Sequence, residues 1–202
     1  MPAAHVLLEP HYFPNTCYWA ALARAAYACL EVQGRYVRQT YQSRCCILTA
    51  QGMHRLVVPV RQATTKGPYH QVAIDYREDW PKRHLRTLAT AYGRAPYFAH
   101  YFPQVEALLL PRPTYLLELQ LSTLQRCSQW LGLCTHLTCT TTYQAAAGAD
   151  TIDLRGAFHP RRALPEASMP RYLHAFDQPF HPVLSILDLL MCEGPEARQY
   201  LA

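Results

Sequence analysis

The segment TIDLRGAFHPRR, residues 151–162, concentrates charged and titratable side chains in a stretch with almost no apolar periodicity. Asp153 and Arg155 are two residues apart, so in an extended chain they point to one face, where they form a charge-assisted pair or bind a ligand together. A structural ion pair accounts for them equally well. Arg161 is a candidate ligand for a phosphate or carboxylate, which guanidinium groups bind in bidentate fashion, or else ordinary solvated charge.

Two histidines have the chemistry of a general acid or base. His159 precedes Pro160, which keeps its backbone out of the helical region, although a surface histidine in a turn is the commoner case. His84 follows Trp80 by four residues, so the two share a face of a predicted helix. That arrangement puts a base beside an aromatic wall, or it is a packed histidine at a helix edge. The predicted catalytic residues are therefore His84, His159 and Asp153.

The segment GRYVRQTYQSRC, residues 34–45, concentrates hydrogen-bonding groups just before a predicted core strand. Sugar or nucleotide recognition uses such polar and aromatic groups, while the alternative is an exposed connector. Tyr12 lies in the loop after the first predicted strand, where it joins these groups or packs against the core. The predicted substrate-binding residues are Tyr12, Tyr36, Arg38, Gln39, Arg44, Arg155 and Arg161. We expect Arg44, His84, Asp153 and Arg155 to line one pocket.

The sequence favours neither a metal centre nor a common cofactor motif. In CTHLTC, residues 134–139, Cys134 and His136 share a strand face while Cys139 points to the other, so we predict no metal site there. The chain has no GxSxG elbow, Walker loop, GxGxxG fingerprint or paired-histidine zinc helix. The cofactor is therefore unknown, and a transferase that uses one base and several arginines remains compatible with the sequence.

Composition predicts one globular domain over residues 1–202. A hydrophobic fraction of 50% suffices for a core, and a net charge of +5 with scattered basic residues argues against nucleic acid as a partner. The expected partner is a small-molecule substrate, such as a nucleotide sugar. We expect no membrane span and a cytoplasmic location, because no apolar run is long enough to cross a bilayer and the first residues lack the design of a signal peptide.

The elements that must position these residues form a mixed α/β pattern. HVLLE predicts a strand that leads into a helix over residues 17–28, which Thr16 can cap. RCCILTA and HRLVVPV flank Gln51-Gly52 and predict an antiparallel hairpin at residues 44–60. Further predictions are a strand in QVAIDY, helices at 81–93 and 115–131, a helix beginning near Pro103, a strand in THLTCTTTY and a last helix that stops at Gly194. The fold class predicted is a single mixed α/β domain with this hairpin and several packing helices.

Four blocks in order, YFPNTCYW, TYQSRCCI, HLRTLATAYGRAPYF and LSILDLLMCEGPEA, resemble the WbqC-like proteins, particularly a shorter form met in Bacteroidetes. The resemblance spans nearly the whole chain. That form also shows a segment like DLRGAFHPRR, whose characteristic positions are here Asp153, Arg155, Pro160 and Arg161. The irregular region after Tyr143, a candidate functional loop or lid, departs from the longer members.

The resemblance implies a role in bacterial surface-polysaccharide or O-antigen synthesis, with acyl or aminoacyl transfer to an amino sugar as the implied activity. A non-catalytic protein that binds a sugar nucleotide or a glycan, using the same arginines and tyrosines, is the alternative. A measurement of turnover separates the two hypotheses, because only the transferase would convert its substrates.

Overall fold

The computed structural model describes residues 4–143, 145–162, 172, 176 and 183–201. Its strands are β1 (Ala4–Leu8), β2 (Ala25–Leu30), β3 (Arg44–Thr49), β4 (Gly52–Val57), β5 (His136–Cys139) and β6 (Thr151–Asp153). Its α-helices are α1 (Thr16–Ala23), α2 (Trp80–Tyr92), α3 (Phe98–Leu109), α4 (Leu116–Trp130) and α5 (Ile186–Glu193). Short 3₁₀ helices cover Gln62–Thr64, Tyr69–Gln71 and Gly194–Leu201. The mixed α/β class predicted from the sequence is confirmed.

Four of the strands form a parallel sheet in the order β5-β2-β1-β6. The chain runs from β1 through α1 to the adjacent β2, continues to β5 on the same side, and returns to place β6 on the other side of β1. The strand order therefore reverses between β1 and β6. In open α/β sheets ligands bind outside the carboxyl ends of the strands at such a reversal, so the topology indicates where a site is to be sought.

One face of the parallel sheet packs on the hydrophobic core. Val6 and Leu8 of β1 and Ala28 and Leu30 of β2 are buried there, since alternate residues of a strand share a face. The opposite face exposes a row of rings in which His5 stacks on Tyr27 at 4.7 Å and Tyr27 lies 6.0 Å from His136. Along this row of rings, the hydrophobic core therefore covers only one face of the sheet.

The predicted hairpin is confirmed as the antiparallel pair β3 and β4, in which Arg44 opposes Val57 and Thr49 opposes Gly52. Gly52 has φ +97°, a left-handed conformation that glycine adopts without steric cost, and it closes the turn after Gln51. The helices predicted at 81–93 and 115–131 correspond to α2 and α4. No described helix is long and apolar enough to cross a bilayer.

Three predicted elements need correction. The helix expected over residues 17–28 ends at Ala23, and β2 follows at once, because pairing with β1 outweighs the helical preference of its alanines. Its cap is Asn15, whose Oδ1 accepts from the Tyr18 backbone N–H at 2.9 Å, and not Thr16. The segment QVAIDY forms isolated bridges at Ala73 and Ile74 in place of the predicted strand, and its first residue ends a 3₁₀ helix. The helix expected near Pro103 begins at Phe98 and includes that proline within it.

Candidate functional site

A cleft of about 630 Å³ opens at the carboxyl ends of the parallel strands. Each strand supplies a wall residue from the segment that follows it: Glu9 after β1, Glu31 after β2, Tyr143 after β5 and Arg155 after β6. The complete lining is Glu9, Glu31, Gln33, Gly34, Arg35, Val37, Gln42, Tyr69, Tyr143 and Arg155. This sheet-end cleft occupies the position that the strand order indicates for a ligand.

Arg155 is the most strongly held side chain of the sheet-end cleft. Its Nε donates to Asp153 Oδ1 at 2.9 Å and its Nη2 to Oδ2 at 2.5 Å, so the two residues form a bidentate pair. Its Nη1 lies 3.6 Å from Glu31 Oε2, and its guanidinium carbon is 5.9 Å from the centre of the Tyr143 ring. Hydrogen bonding to Arg155 lowers the pKa of Asp153. The guanidinium group is therefore fixed before any ligand arrives.

Two carboxylates line the sheet-end cleft and are bound differently. Glu31 is buried, and its Oε1 accepts from the Gln33 backbone N–H and from Thr140 Oγ1, both at 2.8 Å. Glu9 is half-buried, and its Oε2 accepts from the Gly156 backbone N–H at 2.9 Å. Among the described residues, the other oxygen of Glu9 has no hydrogen-bond partner. Glu9 is thus the carboxylate available to a ligand.

A buried amide fixes the loops around the sheet-end cleft. The Gln120 Nε2 donates to the carbonyl oxygens of Pro10 at 3.1 Å and Gln42 at 2.6 Å, while its Oε1 accepts from the Tyr69 hydroxyl at 2.9 Å. The Gln42 Oε1 in turn accepts from the Val37 backbone N–H at 2.8 Å. The loop that follows β2 is therefore held by side chains rather than by a regular element.

A second cleft, of about 330 Å³, lies where this loop meets the open end of the hairpin. Its lining is Tyr36, Arg38, Gln39, Ser43, Arg44, Val57, Val58, Pro59, Val60, Gln62 and Thr65. We name it the loop cleft. It brings together the four residues of the segment 34–45 that the sequence identified for substrate binding, while the sheet-end cleft takes the neighbouring positions Arg35 and Val37.

The expected meeting of Arg44, His84, Asp153 and Arg155 in one pocket is not found. Arg155 lines the sheet-end cleft and Arg44 lines the loop cleft. His84 is 2% exposed, and its ring donates from Nε2 to the Val57 carbonyl at 3.1 Å and accepts at Nδ1 from the Tyr12 hydroxyl at 3.2 Å. His84 and Tyr12 therefore pack in the core. Desolvation lowers the pKa of His84 to about 4.

The other two predicted residues of the segment 151–162 form a local turn. The His159 Nδ1 accepts from the Arg161 backbone N–H at 3.1 Å. His159 is half-buried, Arg161 is exposed, and neither lines the sheet-end cleft. Of that segment, Asp153 and Arg155 thus contribute to the cleft through one ion pair.

The sequence reasoning missed both carboxylates of the sheet-end cleft. Glu9 and Glu31 each come directly after the apolar run of a parallel strand, in HVLLE and in ACLE. That common position is the available signal, but the helix predicted over residues 17–28 overlaps most of β2 and hides the second strand. Tyr69 and Gln120 carry no signal of their own, since their roles depend on contacts with residues far away in the chain.

The described residues contain no group of three or more His, Cys, Asp or Glu side chains placed to hold a metal ion, Cys134, His136 and Cys139 included. The side chains of the sheet-end cleft are carboxylates, guanidinium groups, amides and phenols. Such groups recognise hydroxyls, amines and anions.

Comparison with known proteins gives a family match over most of the chain. The model of the WbqC-like protein family matches residues 9–159, which include Glu9, Glu31 and Arg155. An uncharacterized protein of Mycobacterium tuberculosis (strain ATCC 25618 / H37Rv), Rv1507c, is 27% identical over 225 aligned residues, covering 96% of each chain. No solved structure matches significantly.

Proposed function

Because the chain belongs to the WbqC-like protein family, we propose that it is a transferase that joins an acyl or aminoacyl group to an amino sugar. The product serves the synthesis of bacterial surface polysaccharide or O-antigen, and the acceptor is a nucleotide-linked sugar available in the cytoplasm. The observation that carries the proposal is the sheet-end cleft, with Arg155 fixed by Asp153 at the point where the strand order reverses.

The lining of the sheet-end cleft suits a sugar. Gln33 and Gln42 offer amide groups, and Glu9 offers a carboxylate oxygen to hydroxyl or amine hydrogens. The Tyr143 ring is 61% exposed at the rim and supplies an apolar face with a polar edge. A volume of about 630 Å³ lies within the range of small-molecule sites.

Glu9 is the general base that this geometry offers in place of the buried His84. The amine of the acceptor sugar loses a proton to Glu9, and its nitrogen attacks the carbonyl carbon of an activated acyl donor. The bond from that carbon to the donor's leaving group then breaks, and the leaving group departs with the bonding electrons. Arg35 provides positive charge toward the anionic donor, and Arg155, which is ion-paired with Asp153, directs hydrogen-bond donors toward the developing oxyanion.

The test compares two arginines in the same local arrangement. Arg77 makes the same bidentate pair with Asp75, but its side chain is 90% exposed, whereas that of Arg155 is 14% exposed and lines the sheet-end cleft. Arg155→Ala should weaken binding of nucleotide-linked amino sugars by about 1.5–3 kcal/mol, and Arg77→Ala should leave it unchanged. Isothermal titration calorimetry with a panel of such sugars measures the affinity of both variants. Equal effects of the two variants would contradict the assignment.

A turnover assay with acyl and aminoacyl donors tests whether Glu9 is the general base. Glu9→Gln keeps the size of the side chain and should lower kcat about 100-fold or more with a small change in KM. Product formation is followed by mass spectrometry of the sugar. A Glu9→Gln protein with full turnover would remove Glu9 from the mechanism.

The rival function is binding without catalysis, as a protein that holds a sugar nucleotide or a glycan. One observation favours it: the described residues that line the sheet-end cleft include no histidine, cysteine or serine. In that case Arg155→Ala still weakens binding, but the wild-type protein converts none of the donor and acceptor pairs.

A further inference from the structure

Among the described residues that line it, the loop cleft has two guanidinium groups and no carboxylate. Arg38 and Arg44 line it, and the part of the chain that the structure describes gives neither of them an ion-pair partner. Arg155 in the sheet-end cleft, by contrast, is neutralised by Asp153 and faces Glu31. The loop cleft is thus a concave surface with uncompensated positive charge.

The loop cleft also contains a pair of hydroxyl groups beside the two guanidinium groups. The Tyr36 hydroxyl and Ser43 Oγ are 2.7 Å apart and line the same cleft. Burial raises the pKa of Tyr36, and the hydrogen bond with Ser43 and the charges of Arg38 and Arg44 oppose that rise. The two arginines come from different elements, the loop after β2 and the first residue of β3. Two separate elements therefore supply positive charge to the same cleft.

The backbone that carries Arg38 is held rigidly. Val37 and Gln42 close a turn through the 2.8 Å bond from the Val37 N–H to Gln42 Oε1, and the Thr40 hydroxyl donates to the Val37 carbonyl at 2.8 Å. Gln120 fixes the Gln42 carbonyl from the core. A binding site built on such a turn loses little conformational entropy when a ligand arrives.

We propose that the loop cleft is a second ligand site, which binds the phosphate of a small phosphorylated molecule between Arg38 and Arg44. Guanidinium groups bind phosphate oxygens in bidentate fashion, and the Tyr36 and Ser43 hydroxyls add hydrogen bonds. The valines Val57, Val58 and Val60 form an apolar wall beside them for the organic part of the ligand. The site stands independently of the transfer reaction assigned to the sheet-end cleft.

Titration calorimetry with three probes tests this site: inorganic phosphate, uridine diphosphate and uridine. Phosphate and uridine diphosphate should bind saturably, and uridine should not. Arg38→Gln and Arg44→Gln should each weaken binding about tenfold or more, the loss expected for a hydrogen bond to a charged group. Arg61→Gln is the matched control, since it removes the same charge from an exposed arginine that lies next to Val60 and Gln62 in the chain but does not line either cleft.

The proposal is overturned if wild-type protein shows no saturable binding of phosphate or uridine diphosphate, or if Arg61→Gln weakens binding as much as Arg38→Gln. Because Arg38 is exposed, Arg38→Gln should leave the fold intact. If Arg44→Gln fails to fold, the affinity of Arg38→Gln for phosphate is sufficient to test the proposal. Arg155→Ala separates the two sites: it should leave the binding of inorganic phosphate unchanged even though it weakens the binding of nucleotide-linked sugars in the sheet-end cleft.

Discussion

At the scale of single residues, burial decides what a histidine can do in this protein. Both ring nitrogens of His84 are bonded, to Val57 and to Tyr12, and the ring packs against Trp80 at 4.9 Å. His11, in the loop after β1, is also buried, and desolvation lowers its pKa to about 3. Neither ring takes up a proton readily while the chain is folded. These histidines therefore make the native state sensitive to acid.

We expect His84→Gln to reduce the acid sensitivity of the fold. The pKa of His84 falls from 6.5 to about 4, so between these values the unfolded chain binds a proton that the native chain does not. The free energy of unfolding is thus fully retained above pH 6.5 and declines as the pH falls toward 4, by up to about 3 kcal/mol for this residue. Glutamine makes similar hydrogen bonds without titrating.

Urea unfolding gives the free energy of unfolding at about pH 7.5 and about pH 4.5, and the loss between the two pH values is compared for His84→Gln and the wild-type protein. His100→Gln, which changes an exposed histidine on α3, is the control and should behave as wild type. The explanation fails if His84→Gln loses as much stability on acidification as the wild-type protein.

At the scale of elements, a buried carboxylate ties α5 to the rest of the fold. Asp188, in the first turn of α5, accepts from the hydroxyls of Tyr92 and Tyr172, both at 2.6 Å. The Tyr92 hydroxyl also accepts from the Leu48 backbone N–H at 3.2 Å. Tyr92 therefore joins α2, β3 and α5 through one oxygen. Removal of this hydroxyl should weaken the contacts among all three elements.

Tyr92→Phe should lower the free energy of unfolding by about 1–3 kcal/mol, because it deprives the Leu48 N–H and Asp188 of a buried partner. Tyr27→Phe, at a tyrosine that is 48% exposed, should change it little. Denaturant midpoints at constant m-value provide the comparison. Equal midpoints for the two variants would show that the hydroxyl contributes nothing to stability.

The local sequence predicted the elements that are stabilised by contacts between neighbouring residues. It did not predict elements whose stabilising partners lie far away in the chain. The hairpin β3-β4 has its turn signal, and α2 and α4 have their period and end signals. The alanine-rich β2 reads as helix, and only its pairing with β1 and β5 makes it a strand. The pairs Asp75-Arg77 and Asp153-Arg155 look alike in sequence, and their different surroundings come from the topology alone.

At the scale of the whole molecule, Gln120 connects the two clefts to the core. Its amide bonds the loop after β1 at Pro10, the loop after β2 at Gln42, and Tyr69 on the wall of the sheet-end cleft. It is fully buried on α4, far along the chain from all three. One side chain thus sets the position of loops that serve both clefts.

We expect Gln120→Leu to weaken ligand binding in both clefts together and to destabilise the fold by about 1–3 kcal/mol, because the Gln42 and Pro10 carbonyls lose a buried donor. Gln125→Leu, at an exposed position of the same helix, is the control. Phosphate titration and nucleotide-sugar titration of the same preparations measure the two sites. Loss at one cleft with full affinity at the other would show that the loops are positioned separately.

The loop after β2 should tolerate substitutions more readily than changes of length. Arg35 and Val37 face the sheet-end cleft, whereas Tyr36 and Arg38 face the loop cleft, so neighbouring residues serve different surfaces. Deletion or insertion of one residue in this stretch would exchange the two sets of side chains, as a one-residue slip does in a strand. Surface loops usually accept such changes, but relatives that retain both clefts are expected to keep the number of residues here constant.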